Sequence, residues 1–375
     1  MSSSLNDDLK TNNLAKSTYG FFEIIQREKL FIVIIIVLGV LCFVVYPYSN
    51  IAMWVGFGLA GYAAIANDSI QTIGTFIASN KQRKWYYLWL FMGLIFVITV
   101  YVSWSTYDGD VSNQRLTSKG FDEAPTEFSF LQLAAPLILL IITRMRMPVS
   151  TTFLLLNAFT TKTSAILGVL DKSLSGYFLA FFLALFVWIL VSKFVNKYFT
   201  GKPHKMWVIF QWITSGLLWS VWIQQDAANI AIFLPRSLSA WEFTAFAGYI
   251  FLGLGLLFYL KGDKIQGIVD EKTGVTDVRA ATLVDFIYAI LLYYKLFEST
   301  LPMSTTWLFI GLLGGRELAI SITRDKPKKR SKATRRALKM IGKDMFYALI
   351  GLLISLILAL AINDNIRQEV YEMIF

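Results

Sequence analysis

The chain has 375 residues, of which 56% are hydrophobic, 15% aromatic and only 16% charged. A water-soluble domain carries about a quarter charged residues, so this composition excludes an ordinary soluble fold, which would lack the charge to cover its surface. The net charge of +10, from 35 Lys and Arg against 25 Asp and Glu, gathers mostly in short segments beside apolar runs. The positive-inside bias of membrane proteins accounts for it, with no nucleic-acid partner.

Residues 1–29 are polar and mixed in charge, without the pattern of a signal peptide, and are expected to be a cytoplasmic N-terminal segment. Residues 30–47 (LFIVIIIVLGVLCFVVYP) approach the roughly 20 apolar residues that cross a bilayer. Cys42, the single cysteine, lies there, which excludes intrachain disulfides and thiolate metal sites. Residues 51–79 start apolar and end in AIANDSIQTIGTFIAS, before the basic Lys81–Lys84 break. A span at 85–104 leads into an acidic loop, 105–129, and then into two apolar arms, 130–170, joined by RMRMPVSTT. Further spans lie near 176–195, 207–234 and 241–260. The single histidine, His204, reads as a solvated loop residue between Lys202 and Lys205, with no carboxylate or cysteine to make a metal site. After a mixed-charge loop, 261–280, residues 281–322 repeat the two-arm pattern around ESTLPMSTT. The basic 324–342 segment is expected to be a cytoplasmic loop beside anionic lipid headgroups, followed by a final helix and tail, 343–375. Trp85, Tyr86, Tyr87, Trp104 and Trp207, near span ends, read as interface anchors.

Two polar signatures recur. MPVSTTF (147–153) and LPMSTTW (301–307) place Ser150 and Ser304 154 positions apart. Asn67-Asp68 with Gln71, and Gln225-Asp226 with Asn229, place their aspartates 158 apart. Such self-similarity predicts a tandem duplication, with a first repeat at 30–172 and a second repeat core at 173–323. With the N-terminus in the cytoplasm, the basic segments 80–84, 193–205, 261–280 and 324–343 fall on one side and the acidic loop on the other. Three crossings then separate equivalent points, so the repeats are expected to be inverted. The predicted fold is an all-α, multi-pass helical transporter with two inverted repeats and two re-entrant helical hairpins. Interrupted helices in matching places point to a secondary transporter with a midplane site.

Pro148 and Pro302 end the helix before them, and the Ser-Thr-Thr that follows suits a helix start, with hydroxyls for the free N–H groups. Ser150, Thr151, Thr152, Ser304, Thr305 and Thr306 are the candidate substrate-binding residues: two helix N-termini lined with hydroxyls could enclose a tetrahedral oxyanion. The alternative is that they cap a kink in an ordinary membrane helix. Asp68 and Asp226 stand in apolar helices, where a carboxylate costs about 2.5–3.5 kcal/mol. Each shares a helix face with an amide three positions on. Asn67, Asp68, Gln71, Gln225, Asp226 and Asn229 are therefore candidate cation ligands, an oxygen set suited to sodium at Asp68 and Asp226. No histidine near them relays protons, and an oxyanion needs charge compensation. Arg144, before the first tip, Glu298, in the equivalent place before the second, and Asp285, in the arm leading to it, are accessory candidates. Arg144 could meet the anion, or reach water or an acid.

These residues resemble the inorganic phosphate transporters of the PiT type, whose signatures are a GANDVANA-like sequence and a PVSTTH-like tip in each half. IANDSIQTIGT (65–75) and IQQDAANI (223–230) are similar to the first signature, PVSTTF and PMSTTW to the second, in the expected order along the whole chain. Phe153 and Trp307 stand where the tips have histidine, Ile65 and Ile223 replace glycine, and Gln225 replaces asparagine. The resemblance implies sodium- or proton-coupled uptake of phosphate, with sodium near the aspartates and phosphate between the tips. The expected activity is phosphate transport with sodium as coupling ion and no other cofactor, in the inner membrane, without enzymatic chemistry and compatible with a homo-oligomer. A sulfate or other oxyanion permease of the same fold is the alternative, and a non-transporting receptor or anion channel the more distant one.

Overall fold

The computed structural model describes residues 28–67, 69–145, 147, 149–198, 201, 203–260, 278–324 and 327–374, with the side chains of 69–71, 192–198 and 374 outside that description. Asp68, Arg146, Pro148, the Gln71 side chain, and most of the N-terminal segment and of the 261–280 loop thus lie outside the described residues.

Every regular element among the described residues is helical, and eight helices are long and apolar enough to cross a membrane. They are α1 (Glu28–Val45), α2 (Ser49–Asn67), α4 (Trp85–Thr106), α6 (Thr163–Tyr198, apolar to Val191), α7 (Met206–Ala231), α8 (Ala240–Tyr259), α9 (Val278–Glu298) and α11 (Pro327–Ile362). Shorter helices complete the set: α3 (Ser69–Ser79), α5 (Phe130–Arg144), α10 (Thr305–Ile322) and α12 (Asp364–Ile374). Large side chains such as Ile36, Leu94, Phe182 and Leu353 are exposed on the spans, as lipid-facing residues would be.

Local chemistry sets the boundaries. Capping boxes open α5, where Ser129 accepts from Gln132 N and Gln132 from Ser129 N, and α8, through Ser239 and Glu242. In the acidic loop, Asp110 accepts from Ser112 N (2.7 Å) and Gln114 N (2.6 Å), making a side-chain-closed turn. Gly109, at φ +94°, lies where a Cβ would stand 2.8 Å from Leu238 N.

Two expectations change. The basic 324–342 segment is not a loop: residues 327–342 are helical and run without a break into the final span as α11. Lys, Arg and Ala favour helix, and Pro327 sits at its first position, where the missing N–H costs nothing. The span expected near 176–195 begins earlier, at Thr163, because the Asp171-Lys172-Ser173 interruption in hydropathy does not interrupt the helix. The expected repeat boundary at 172/173 therefore falls inside α6.

The loops sort to two ends of the bundle. The acidic loop, 160–163, 232–240 and 363–369 meet at one end, through Thr161 N to Gly120 O (3.2 Å), Leu238 N to Gly109 O (2.9 Å), Arg236 Nη2 to Glu123 O (2.7 Å) and Asn363 Nδ2 to Thr160 O (2.7 Å). At the other, basic end, Asn80 bonds Gln211 and Arg279 bonds Gly201 O. α5 runs from the acidic-loop end until Arg144 meets Glu28, at the start of α1. α9 runs the opposite way until its last turn meets Arg115 of the acidic loop.

Candidate substrate and cation site

Each tip begins with its serine. Ser150 Oγ accepts from Phe153 N (3.1 Å) and Ser304 Oγ from Trp307 N (3.1 Å), both serving as caps three residues on. The Ser304 backbone N–H is held in turn by Ser173 Oγ of α6 at 2.8 Å. The six tip residues Ser150, Thr151, Thr152, Ser304, Thr305 and Thr306 are all 0–3% exposed.

The tips are stitched to each other reciprocally. Thr152 Oγ1 donates to Met303 O (3.1 Å), and Thr306 Oγ1 donates to Val149 O (3.5 Å). In each case the last threonine of one tip meets the carbonyl just before the serine of the other. The two aromatic residues that close the motifs, Phe153 and Trp307, also meet, edge to face, with ring centroids 5.2 Å apart.

The two aspartate motifs converge on the first tip through their asparagines. Asn67 Nδ2 donates to Thr151 Oγ1 (3.2 Å) and Val149 O (3.2 Å), while its Oδ1 accepts from Thr143 Oγ1 (3.1 Å). Asn229 Nδ2 donates to Thr152 Oγ1 (3.2 Å) and to Asp226 Oδ1 (2.5 Å). The spacing of three thus does place Asp226 and Asn229 on one face. Gln225, 2% exposed, has neither side-chain atom hydrogen-bonded; Asn229 Oδ1 and the Trp307 indole N–H are likewise buried without a partner among the described residues. Buried polar atoms of this kind call for an occupant, since each left alone costs about 1–3 kcal/mol.

Asp285, 1% exposed, accepts from Thr75 Oγ1 (2.7 Å) and Ser215 Oγ (2.5 Å), which joins α3 and α7 to α9. A line of side chains continues to the basic end through Gln211 Nε2 to Ser215 Oγ (3.0 Å) and Asn80 Nδ2 to Gln211 Oε1 (2.9 Å). Arg144 is directed away from the tips: it pairs with Glu28 (2.6 Å) and lies over the Phe31 ring. Glu298 pairs with Lys295 (2.5 Å). Ser173, Ser215 and Lys295 belong to neither recurring motif, so nothing in the sequence singles them out.

The donor set is oxygen and amide with isolated carboxylates. Among the described residues no group of three or more His, Cys, Asp or Glu could hold a metal ion. An apolar cavity lined by Trp219, Trp222, Ile223, Phe96 and Leu254 reaches Asp226 from the side of α4 and α8.

No family model matches the sequence, and no curated protein matches it. A solved structure described as "The sodium-dependent phosphate transporter" is similar over 83% of this chain and 99% of its own, at 18% sequence identity and a TM-score of 0.49. That likeness is too slight to bear on what this chain carries.

Proposed function

We propose that the protein is a secondary transporter of the inner membrane that takes up inorganic phosphate with sodium, holding the anion between the two Ser-Thr-Thr tips and the cation at the aspartate motifs. The observation that carries this reading is the reciprocal contact of the tips, with both motif asparagines on the first tip and unpartnered polar atoms buried beside them. Hydroxyl and amide donors suit a tetrahedral oxyanion, and the Asp226 carboxylate offers an acceptor to a protonated phosphate oxygen, which sulfate lacks.

The hydrogen bonds supply a route for coupling. Asp226, Asn229, Thr152 and Met303 O form one line from the cation motif through the first tip to the second. A hydroxyl has a single hydrogen, so Thr152 and Thr306 can bond the anion only by releasing the opposite tip. Anion binding would then loosen the stitch that keeps the site closed. A cation at Asp226 competes for the carboxylate oxygen that Asn229 holds, and so acts on Thr152. Asp68 and Gln71 are proposed to play the corresponding part in the first half. Asp285, tied to both motif helices, would report their movement.

The test is a proteoliposome panel of phosphate, sulfate and arsenate uptake, with and without a sodium gradient. Phosphate uptake stimulated by sodium and competed by arsenate is expected. Sulfate uptake without phosphate competition would replace the substrate, and anion currents far above carrier turnover would replace the transporter.

A further inference from the structure

Three cationic side chains outside the tips are buried at the acidic-loop end. Lys172 of α6, Lys295 of α9 and Arg115 of the loop are 5%, 3% and 3% exposed. They converge on the stretch that joins α9 to the second tip. Lys172 Nζ donates to Ser299 O (3.0 Å) and Leu301 O (2.7 Å). Arg115 donates to Leu296 O (2.7 Å) and, through its other terminal nitrogen, to the same Ser299 O. Lys295 Nζ donates to Ser175 Oγ (2.9 Å) and pairs with Glu298 (2.5 Å). Arg115, Lys295 and Glu298 all lie within electrostatic reach of Lys172.

The carbonyls at the end of α9 favour cations, but a helix C-terminus is equivalent to only about half a charge. Two acids stand nearby. The Glu298 side chain is 41% exposed, and Asp110, near Arg115, has both oxygens taken by backbone N–H groups. Cationic groups thus outnumber the acids beside them in a buried place, where an uncompensated ion is costly. Donors are in excess too. Among the described residues, each lysine uses two of the three N–H groups of its ammonium, and the Arg115 Nε–H is buried with no acceptor. Burial pulls the Arg115 guanidinium down to about 10, which leaves it charged at neutral pH.

The cluster adjoins the second tip. Leu301, whose carbonyl Lys172 holds, lies three residues before Ser304, and Ser173, next to Lys172, holds the Ser304 backbone. We propose that Lys172, Lys295 and Arg115 form a second oxyanion site at the acidic-loop end of the second hairpin, from which the anion passes to the tips. Its destination rests on the transporter reading above; the binding itself does not.

The test is equilibrium binding of radiolabelled orthophosphate to the full chain in phosphatidylcholine nanodiscs, with and without sodium. A sodium-independent class, belonging to the cluster, is expected beside a sodium-dependent class at the tips. Lys172→Met with Lys295→Met should weaken the first class at least about tenfold. Glu298→Gln removes only the counter-charge, at a half-exposed position, and should tighten the first class several-fold. Unchanged sodium-independent binding in the folded double variant overturns the proposal. So does unchanged or weaker binding in Glu298→Gln, which can be read even if the double variant does not fold. Loss of phosphate binding when phosphatidylglycerol is added would give the site to a lipid phosphate and overturn it as a transit site. A sodium-independent class alone, with no sodium-dependent one, supports the cluster and sinks the transporter reading instead.

Discussion

The two Ser-Thr-Thr tips are nearly the same in sequence but stand on different supports. The second tip opens α10, an 18-residue helix, after the 21-residue arm α9. The first follows the 15-residue α5 and continues only as a five-residue π-helical segment, Thr152–Leu156, before a new helix begins at Thr163. α10 is also locked to α6 by close backbone approach: a Cβ on Gly311 would stand 2.4 Å from Tyr177 O, and one on Gly315 2.1 Å from Phe181 O. This is small-xxx-small packing of the kind that lets membrane helices touch. The first tip instead rests on α11 through side chains, with Val149 Cγ1 3.0 Å from a Cβ on Gly351. π-helical turns are rare and cluster at functional sites. The contrast teaches that the second tip is anchored through a helix in backbone contact with its neighbour, and the first through side chains.

The largest effect should come from Asp226, which the proposed mechanism places between the first tip and the cation. Asp226→Asn is expected to lower sodium-stimulated uptake at least about 100-fold while membrane insertion is retained, since removing one partner from a buried charged network costs about 3–5 kcal/mol. Full uptake by this variant would remove Asp226 from the account. Next comes the backbone contact of α10 with α6. Gly315→Ala should lower the thermal midpoint in detergent by overpacking worth about 1–3 kcal/mol, whereas Gly248→Ala, with nothing within 4 Å of its Cβ, should not. Equal tolerance of both would mean that α10 is not locked. The two caps then sharpen the difference. Ser304→Ala, at the start of a full helix, should cost about 1 kcal/mol of stability in chemical unfolding, and Ser150→Ala less, because a π segment returns less for being capped. The smallest effect is one of pH. Hydrogen bonding from Thr163 holds the Glu369 carboxyl below the usual glutamate range. Its contribution is full above the unfolded glutamate pKa and is lost as pH falls through the depressed folded value. Glu369→Gln should therefore lower stability at neutral pH and flatten the acid side of a stability–pH profile, so that the two profiles converge as pH falls.

Much of this was legible in the chain. Apolar runs gave the spans, and the recurrence of Ser-Thr-Thr and of the Asp–amide pairs singled out the two tips, Asn67, Asp226 and Asn229, which hydrogen bonds bring together; Asp68 and the Gln71 side chain lie outside the described residues. What escaped was whatever depends on packing across helices. Asp171-Lys172-Ser173 looked like a break because hydropathy averages over a helix face; in α6, Lys172 and Ser173 instead serve the second tip. The basic run looked like a loop because charge was weighed above helix propensity. The short π-helical segment after the first tip had no signal, as its residues TFLLL would suit a regular helix equally well.

The central claim is that both tips bind one anion. Sodium-dependent phosphate binding to the purified protein, measured for Thr151→Val in the first tip and Thr305→Val in the second, tests it directly. One shared site predicts a single phosphate per chain, with either substitution weakening the whole of that binding. Half of the binding remaining at its original affinity in either variant would mean that the tips act separately, and would contradict the account.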